Sequence, residues 1–334
     1  MAALGGSNPS LVDVAKSMDP DGSIADVAEL LQESNEILED IPWMEGNLPT
    51  GHQSTVRVGI PTPTWRLING GVSPTKSEKD QITEGIGMLE DWSQVDKDLA
   101  ELNGNTAAFR LSEAKAHVEG MAQEFAQTFF YGALASAEEF VGLSPRYNSL
   151  SANNGQNILD AGGVGSDNSS IWLLGLSTDT ICGIYPKGSK AGLLHENLGL
   201  QTVQTATGID GAMLRAYQDH WQWKGGLHVK DWRFGVRIAN IDISNLTSET
   251  GAADLIKLMA KAVHRIPRMN TKGVKFCWYM NRTVFQMLDI QAMNKLETGG
   301  GITYKNFDGQ EIPTFRNFPV RICDQLLETE SQVS

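Results

Sequence analysis

Hydrophobic spacing along this chain switches repeatedly between the helical and the extended period. Ile24, Val27, Leu30, Leu31 and Leu38 recur every three or four residues, with Asp26, Glu29, Glu33 and Glu36 on the other side. That spacing predicts a helix from Ser23 to about Leu38, opened by a capping-box-like Ser23 and Asp26 and ended by Pro42 and Trp43. From residue 52 the period falls to two. Val56, Val58 and Ile60 alternate with Thr55, Arg57 and Gly59, and Trp65 to Ile68 resumes the pattern after Pro61 and Pro63. A polar stretch from Asn69-Gly70-Gly71 to Asp80 reads as a tip, and Ile82, Glu84, Ile86 and Met88 share one face of a return strand. The expectation is a long hairpin over 52–92 with little apolar mass. Two strands alone are marginal in water, so it should lie on its own body or on a neighbouring subunit.

The helical period returns most clearly over 111–131. Leu111, Ala114, Val118, Met121, Ala122, Phe125 and Phe129 form one face, and Val118, Met121, Phe125 and Phe129 are its candidate core. At about 1.5 Å per residue this helix is some 30 Å long, a spine rather than a connector. Residues 142–168 and 187–212 read as loops. Short strands are predicted near 171–176, 180–184, 227–230, 234–241, 274–279 and 320–323. A helix is predicted over Ser248–Ile266, and a second is capped by Asn281 and runs to Met293. Asp308-Gly309 between two extended runs is a hairpin signal. No βαβ rhythm and no internal repeat is visible, so the fold class is α+β.

Composition changes this picture in one respect. The 334 residues carry a net charge of −13 with 41% hydrophobic residues, an ordinary globular balance that excludes a generic nucleic-acid binder. Residues 1–50, however, hold ten Asp and Glu against Lys16 alone. The acidic start reads either as a solvated helical face or as an arm that meets a partner surface. Cys182, Cys277 and Cys323 are dispersed, odd in number and next to apolar residues, which predicts buried thiols in a reducing compartment. No targeting segment or membrane-length apolar run appears.

Searches for chemistry return little. Gly183 to Lys190 resembles a phosphate loop, but Ser189 rather than Lys follows Gly188 and Pro186 interrupts. Gly163-Val-Gly165 lacks the third glycine of a dinucleotide turn. The six histidines show no metal-ligand spacing, and there is no GxSxG elbow. Trp221 to Phe234 is aromatic and mildly basic, as a single-strand nucleic-acid platform would be, but equally as a strand pair packed on its neighbours. No catalytic residue, cofactor or metal is expected.

Ordered local motifs carry a resemblance. They are Asn35 to Trp43, Val56-Arg57 to Ile60-Pro61, Trp65-Arg66, Asn69-Gly-Gly-Val72, Ile184 to Ser189, Gly226-Leu-His-Val to Asp231-Trp-Arg233, Val236 to Asp242, and Phe315 to Asp324. Over nearly the whole chain this set is similar to the major capsid proteins of tailed bacteriophages with the Hong Kong 97 fold, closest to short-tailed phages such as epsilon 15 and the Bordetella tropism-switching phage. The resemblance implies an N-terminal arm (1–50), an extended loop (51–95), a peripheral domain (96–140 and 224–248, with the spine helix) and an axial domain (141–223 and 249–334), with a rearranged strand order around 227–242. It implies a subunit, not an enzyme, that assembles in the host cytoplasm into the pentamers and hexamers of an icosahedral virion shell. Its partners would be copies of itself, portal, scaffolding and decoration proteins, and double-stranded DNA held by weak non-specific contact, with no membrane. Intersubunit contacts are expected at Val56, Arg57, Trp65, Arg66, Lys76 and Lys79. An encapsulin-like compartment and a soluble α+β enzyme are the alternatives.

Overall fold

The computed structural model describes residues 33, 35–102, 106–133, 136, 138–204, 213–269, 271–294, 303–307 and 310–334. The expected helix from Ser23 lies largely outside them; of its described residues Glu33, Asn35 and Glu36 are not helical, and a four-residue α1, Ile37–Asp40, comes next, followed by strand β1, Trp43–Glu45. Two compact units divide the chain. One contains residues 88–127 and 192–224, and the other contains 36–87, 128–191 and 225–334. These borders differ from the expected domain borders: 192–224 groups with the spine, and 225–248 lies in the larger unit.

The larger unit is built on one central strand, β6 (Asn168–Leu176), whose nine residues are all buried. Ile171-Trp-Leu-Leu174 is a continuous apolar run because both faces of the strand are covered. Its neighbours are β7 (Ile181–Tyr185), antiparallel β10 (Gly235–Asp242) and antiparallel β11 (Lys275–Met280). Beyond β11 the sheet continues through β14 (Phe318–Ile322) and β13 (Gln310–Phe315) to β12 (Thr303–Phe307). β12 and β13 are antiparallel, as expected from the turn signal between them. β1 pairs in parallel with β7, where Gly183 sits opposite Trp43; a Cβ there would lie 2.7 Å from the indole ring.

Alternation assigns the two faces of β6. Ile171 and Leu173 join Val236, Ile238, Trp278 and Met280 in a core closed by α5 (Leu255–Val263) and α6 (Arg282–Asn294). Trp172 points the other way, against Phe130 and Tyr147 and under the Arg237 guanidinium. Arg237 is 2% exposed, and its charge is met by Glu330 at 2.9 Å and by the Tyr147 carbonyl at 2.8 Å. Tyr131 and Ser170 also donate to Glu330. Burial, reinforced by that carboxylate, pushes the Tyr131 phenol well above its ordinary value.

The helix expected over Ser248–Ile266 is shorter, Leu255–Val263 only, and a separate short helix lies just before the expected start. α4 (Ile243–Thr247) is capped by Asp242, and α5 by Asp254. Between them Glu249 and Gly251 take positive φ, 56° and 75°, which ends a right-handed helix. Asn281 caps α6 as expected, accepting from the Thr283 amide at 2.9 Å.

In the smaller unit the spine helix α3 begins earlier than expected and spans Thr106–Tyr131, its last turn belonging to the larger unit. The stretch expected to be loop over 187–212 contains a twelve-residue strand, β8 (Leu193–Gln204), antiparallel to the first part of β9 (Met213–Val229). The expected pairing between 227–230 and 234–241 does not occur. The end of β9 pairs with β7, while β10 pairs with β5 (Ile158–Asp160) and β6. β4 (Gly87–Asp96) lines the free side of β9, and short α2 (Lys97–Glu101) follows it.

Candidate assembly surfaces

With chemistry-bearing motifs sparse, the features that could carry function are surfaces. The first is the hairpin of β2 (Gly51–Gly59) and β3 (Glu78–Gly85), antiparallel from Gly51↔Gly85 to Gly59↔Glu78. It is shorter than the expected 52–92, because β4 turns away to pair elsewhere. Its register places Arg57 opposite Lys79, two like charges that favour a separate acidic partner over each other. The eighteen residues between the strands hold no regular structure. Ile60, Leu67 and Ile68 are 84%, 84% and 93% exposed, and Trp65 is wholly exposed. Arg66 donates to the Gly70 carbonyl at 3.2 Å, and Arg57, Lys76 and Lys79 are exposed, while Val56 is half-buried.

The base of this hairpin is fixed by groups far apart in sequence. Glu84 is buried and accepts from both terminal nitrogens of Arg146, each at 2.6 Å. Such a bidentate pair sets direction as well as attraction. Beside it, His52 on β2 meets His228 on β9 edge to face, ring centroids 4.7 Å apart. His228 is 1% exposed and neither ring nitrogen has a hydrogen-bond partner. Burial, and then the nearby His52, Lys230 and Arg146, lower its pKa to about 4. His52 is lowered too, by burial and Lys230, with Glu84 opposing.

The second surface belongs to the smaller unit. Met121 and Phe125 on α3 are buried, and Phe125 stacks on Trp223 at 4.4 Å. Phe129, in the last turn, is buried in the larger unit. The expected core face does not extend over its first half: Leu111 is 61% exposed and Val118 39%. Together with Ala114, Leu193 and Trp221 they line an open, largely apolar groove. Trp221 forms its floor, sandwiched between the rings of His117 and His195 at 5.0 and 5.1 Å. The flanking histidines have acidic partners: His117 Nδ1 lies 2.5 Å from Asp91, and His195 Nε2 lies 3.0 Å from Asp219, which also holds Arg110 at 2.7 Å. The aromatic stretch around Trp221 is therefore packed on neighbours, and the sequence held no signal for its carboxylate partners.

Cys182, Cys277 and Cys323 are buried free thiols. Burial pushes Cys182 and Cys277 up to about 12. Among the described residues no group of three or more His, Cys, Asp or Glu could hold a metal ion, and no helix is long and apolar enough to cross a membrane.

Comparison with known proteins gives these surfaces a context. A near-atomic structure of bacteriophage epsilon15 matches 100% of this chain and 99% of its own, with 36% identity and a TM-score of 0.78. The capsid of bacteriophage JBD30 aligns over 97% of both chains at 8% identity and TM-score 0.46, and the capsid of a native GTA particle over 70% and 99% at 9% and 0.44. No curated protein sequence matches. The α+β architecture is that of the Hong Kong 97-like phage capsid proteins. The model of the family described as major capsid protein GP7 matches residues 19–334, and with a 36% identical capsid relative along its whole length the chain belongs to that family of phage major capsid proteins.

Proposed function

We propose that copies of this chain form the pentamers and hexamers of an icosahedral virion shell, and that the 51–85 hairpin is the arm by which each copy grips its neighbour. The observation that carries this reading is the exposed apolar tip. Ile60, Trp65, Leu67 and Ile68 expose large apolar area on one unstructured stretch, and such patches mark contact surfaces. Trp and Arg are the residue types that most often dominate interface energy. Arg57, Arg66, Lys76 and Lys79 add a basic rim in a chain of net charge −13, so an acidic patch of another copy is the natural complement. Closed symmetry then multiplies a modest contact over the shell.

Residues 1–50 act as the N-terminal arm and 51–95 as the extended loop, and the spine helix belongs to the peripheral part of the body. The chain has no catalytic role. It assembles in the host cytoplasm with portal, scaffolding and decoration proteins. The acidic balance suits a wall that holds double-stranded DNA only weakly. The family match favours this shell over an encapsulin-like compartment.

The test is expression of the chain, with and without its neighbouring genes, followed by electron microscopy. Closed shells are expected from the intact chain, and folded but unassembled subunits after deletion of Gly71–Asp80. Normal shells from the deletion would refute the arm, and subunits that never exceed a dimer would refute the shell.

A further inference from the structure

The net charge of −13 belongs to the whole chain, whereas a phosphate responds to the local clustering of Lys and Arg. From Leu255 to Leu288 the sequence holds seven Lys and Arg and no Asp or Glu. Two of the seven are paired, Lys275 with Asp40 and Arg282 with Asp324. Lys257, Lys261, Arg265, Arg268 and Lys272 are exposed, and among the described residues none of their side chains has a hydrogen bond or an ion pair.

The fold gathers these cations. α5 buries Leu255, Met259, Ala262 and Val263 in the core, which leaves Lys257 and Lys261 on its outer side. The Arg265 amide donates to the Ala262 carbonyl at 3.0 Å, so the helical turn carries Arg265 onward at the same four-residue spacing. Lys257 to Arg265 spans about 12 Å at about 1.5 Å per residue. Arg268 and Lys272 follow in the connection to β11. β11 and β14 run parallel with Trp278 opposite Val320, so the connection before β11 and the Arg316–Asn317 turn before β14 share one end of the sheet. Arg316 Nη1 donates to His264 Nε2 at 3.1 Å, which ties that turn to the end of α5. Arg316 is exposed and adds a sixth cation, from a part of the chain 52 residues beyond His264.

Helix stability does not account for this arrangement. The C-terminal end of a helix favours cations, which suits Lys261 and Arg265, but Lys257 stands in the first turn, where the dipole favours acids. Like charges at i and i+4 destabilise a helix, and Lys257, Lys261 and Arg265 repeat that spacing twice. A solvated face ordinarily mixes the two signs. A protein interface has an apolar centre depleted in charge; here, among the described residues from Leu255 to Met280, Met269 alone exposes a large apolar side chain, at 40%. Cations without an apolar anchor suit a phosphate backbone. Duplex DNA presents one charge per about 1.7 Å, or about seven over about 12 Å.

We infer that this face, made by the outer side of α5 and the turns before β11 and β14, binds the phosphate backbone of duplex DNA without reading its sequence. One small basic face on an acidic subunit, repeated over the copies of a shell, then holds the duplex at many points, each of them weak. The inference rests on the shell reading for which duplex the face meets, and not for the binding itself.

The test is fluorescence anisotropy of a labelled duplex of arbitrary sequence, about 30 base pairs long, with full-length subunits separated from any shells by gel filtration. The parent should bind in the micromolar range at about 50 mM salt and weaken as salt rises. The variant Lys257→Gln, Lys261→Gln, Arg265→Gln, Arg268→Gln should bind at least about ten-fold more weakly, with a slope of log affinity against log salt shallower by about 3–4. The charge-keeping variant Lys257→Arg, Lys261→Arg, Arg265→Lys, Arg268→Lys should stay within about three-fold of the parent, as should the hairpin variant Arg57→Gln, Lys76→Gln, Lys79→Gln. Circular dichroism matching the parent shows that each variant is folded. Poly-glutamate at equal charge should displace the duplex at least several-fold less well than unlabelled duplex does. No binding by the parent, an equal loss in the hairpin variant, or equal displacement by poly-glutamate each overturns the inference, the last by assigning the face to an acidic protein surface. Shell formation is read separately by microscopy, so failure here is distinct from failure of the shell reading.

Discussion

Acidification should loosen the hairpin base, and His228 sets the size of the effect. The side chain is buried with both ring nitrogens unpaired, so the folded protein holds it neutral, with a pKa of about 4 against an ordinary 6.5. In the unfolded chain the ring protonates as the pH falls through 6.5; in the folded chain it resists until about 4. Protons therefore favour the unfolded state across that window, and stability is lost as pH drops from 6.5 to 4, then levels off. A gap of about 2.5 in pKa, at about 1.4 kcal/mol for each whole step, gives ~3 kcal/mol. Carboxylates titrate in the lower part of the same range, so the effect must be read as a difference. His228→Phe removes the proton site and keeps a ring against His52. Urea unfolding of parent and variant at intervals from about pH 7.5 to 4 should show the parent losing ~3 kcal/mol relative to the variant. The swing should be smaller in a His52→Gln background, where the second positive ring is gone. Parallel stability curves for parent and His228→Phe would refute the reasoning.

Other expectations follow from the same geometry. Glu330→Ala should destabilise the chain by about 3–5 kcal/mol in denaturant melts, because it strands the buried Arg237 guanidinium without its carboxylate. Phe125→Ala, which empties a buried site stacked on Trp223, should cost about 3–5 kcal/mol in the same assay. Gly183→Val should cost about 1–3 kcal/mol, since its side chain must displace the Trp43 ring and with it the β1–β7 pairing. Cys182 and Cys277 should stay unreactive toward a thiol reagent at neutral pH in the folded chain and react only on unfolding.

Local periodicity was a good guide wherever one face of an element meets a core of the same unit. α6 and the second half of α3 lie where their spacing predicts, because burial on a repeating face leaves its imprint in consecutive residues; β6 and β11, covered on both faces, show instead as continuous apolar runs. The same logic explains the misses. β8 reads Leu193-Leu-His-Glu-Asn-Leu-Gly-Leu-Gln-Thr-Val-Gln, mostly exposed, so its extended form comes from hydrogen bonds to β9 and not from an apolar pattern. The late start of α5 comes from backbone turning at Glu249 and Gly251, within the polar run Thr247–Gly251. Val118 keeps helical spacing with Met121 and is nonetheless exposed, because it lines an open groove rather than the core.

What the amino-acid sequence determined alone was the α+β class, the presence of the hairpin, the acidic start and, through the ordered motifs, the capsid resemblance. What only the tertiary structure decided was which groups meet. Glu84 with Arg146, Arg237 with Glu330 and His52 with His228 are pairs from distant parts of the chain, and no period links their positions. A single side chain's identity says that it needs a partner when buried. Only the folded backbone says which partner is within reach, and so which parts of the surface stay open for another copy.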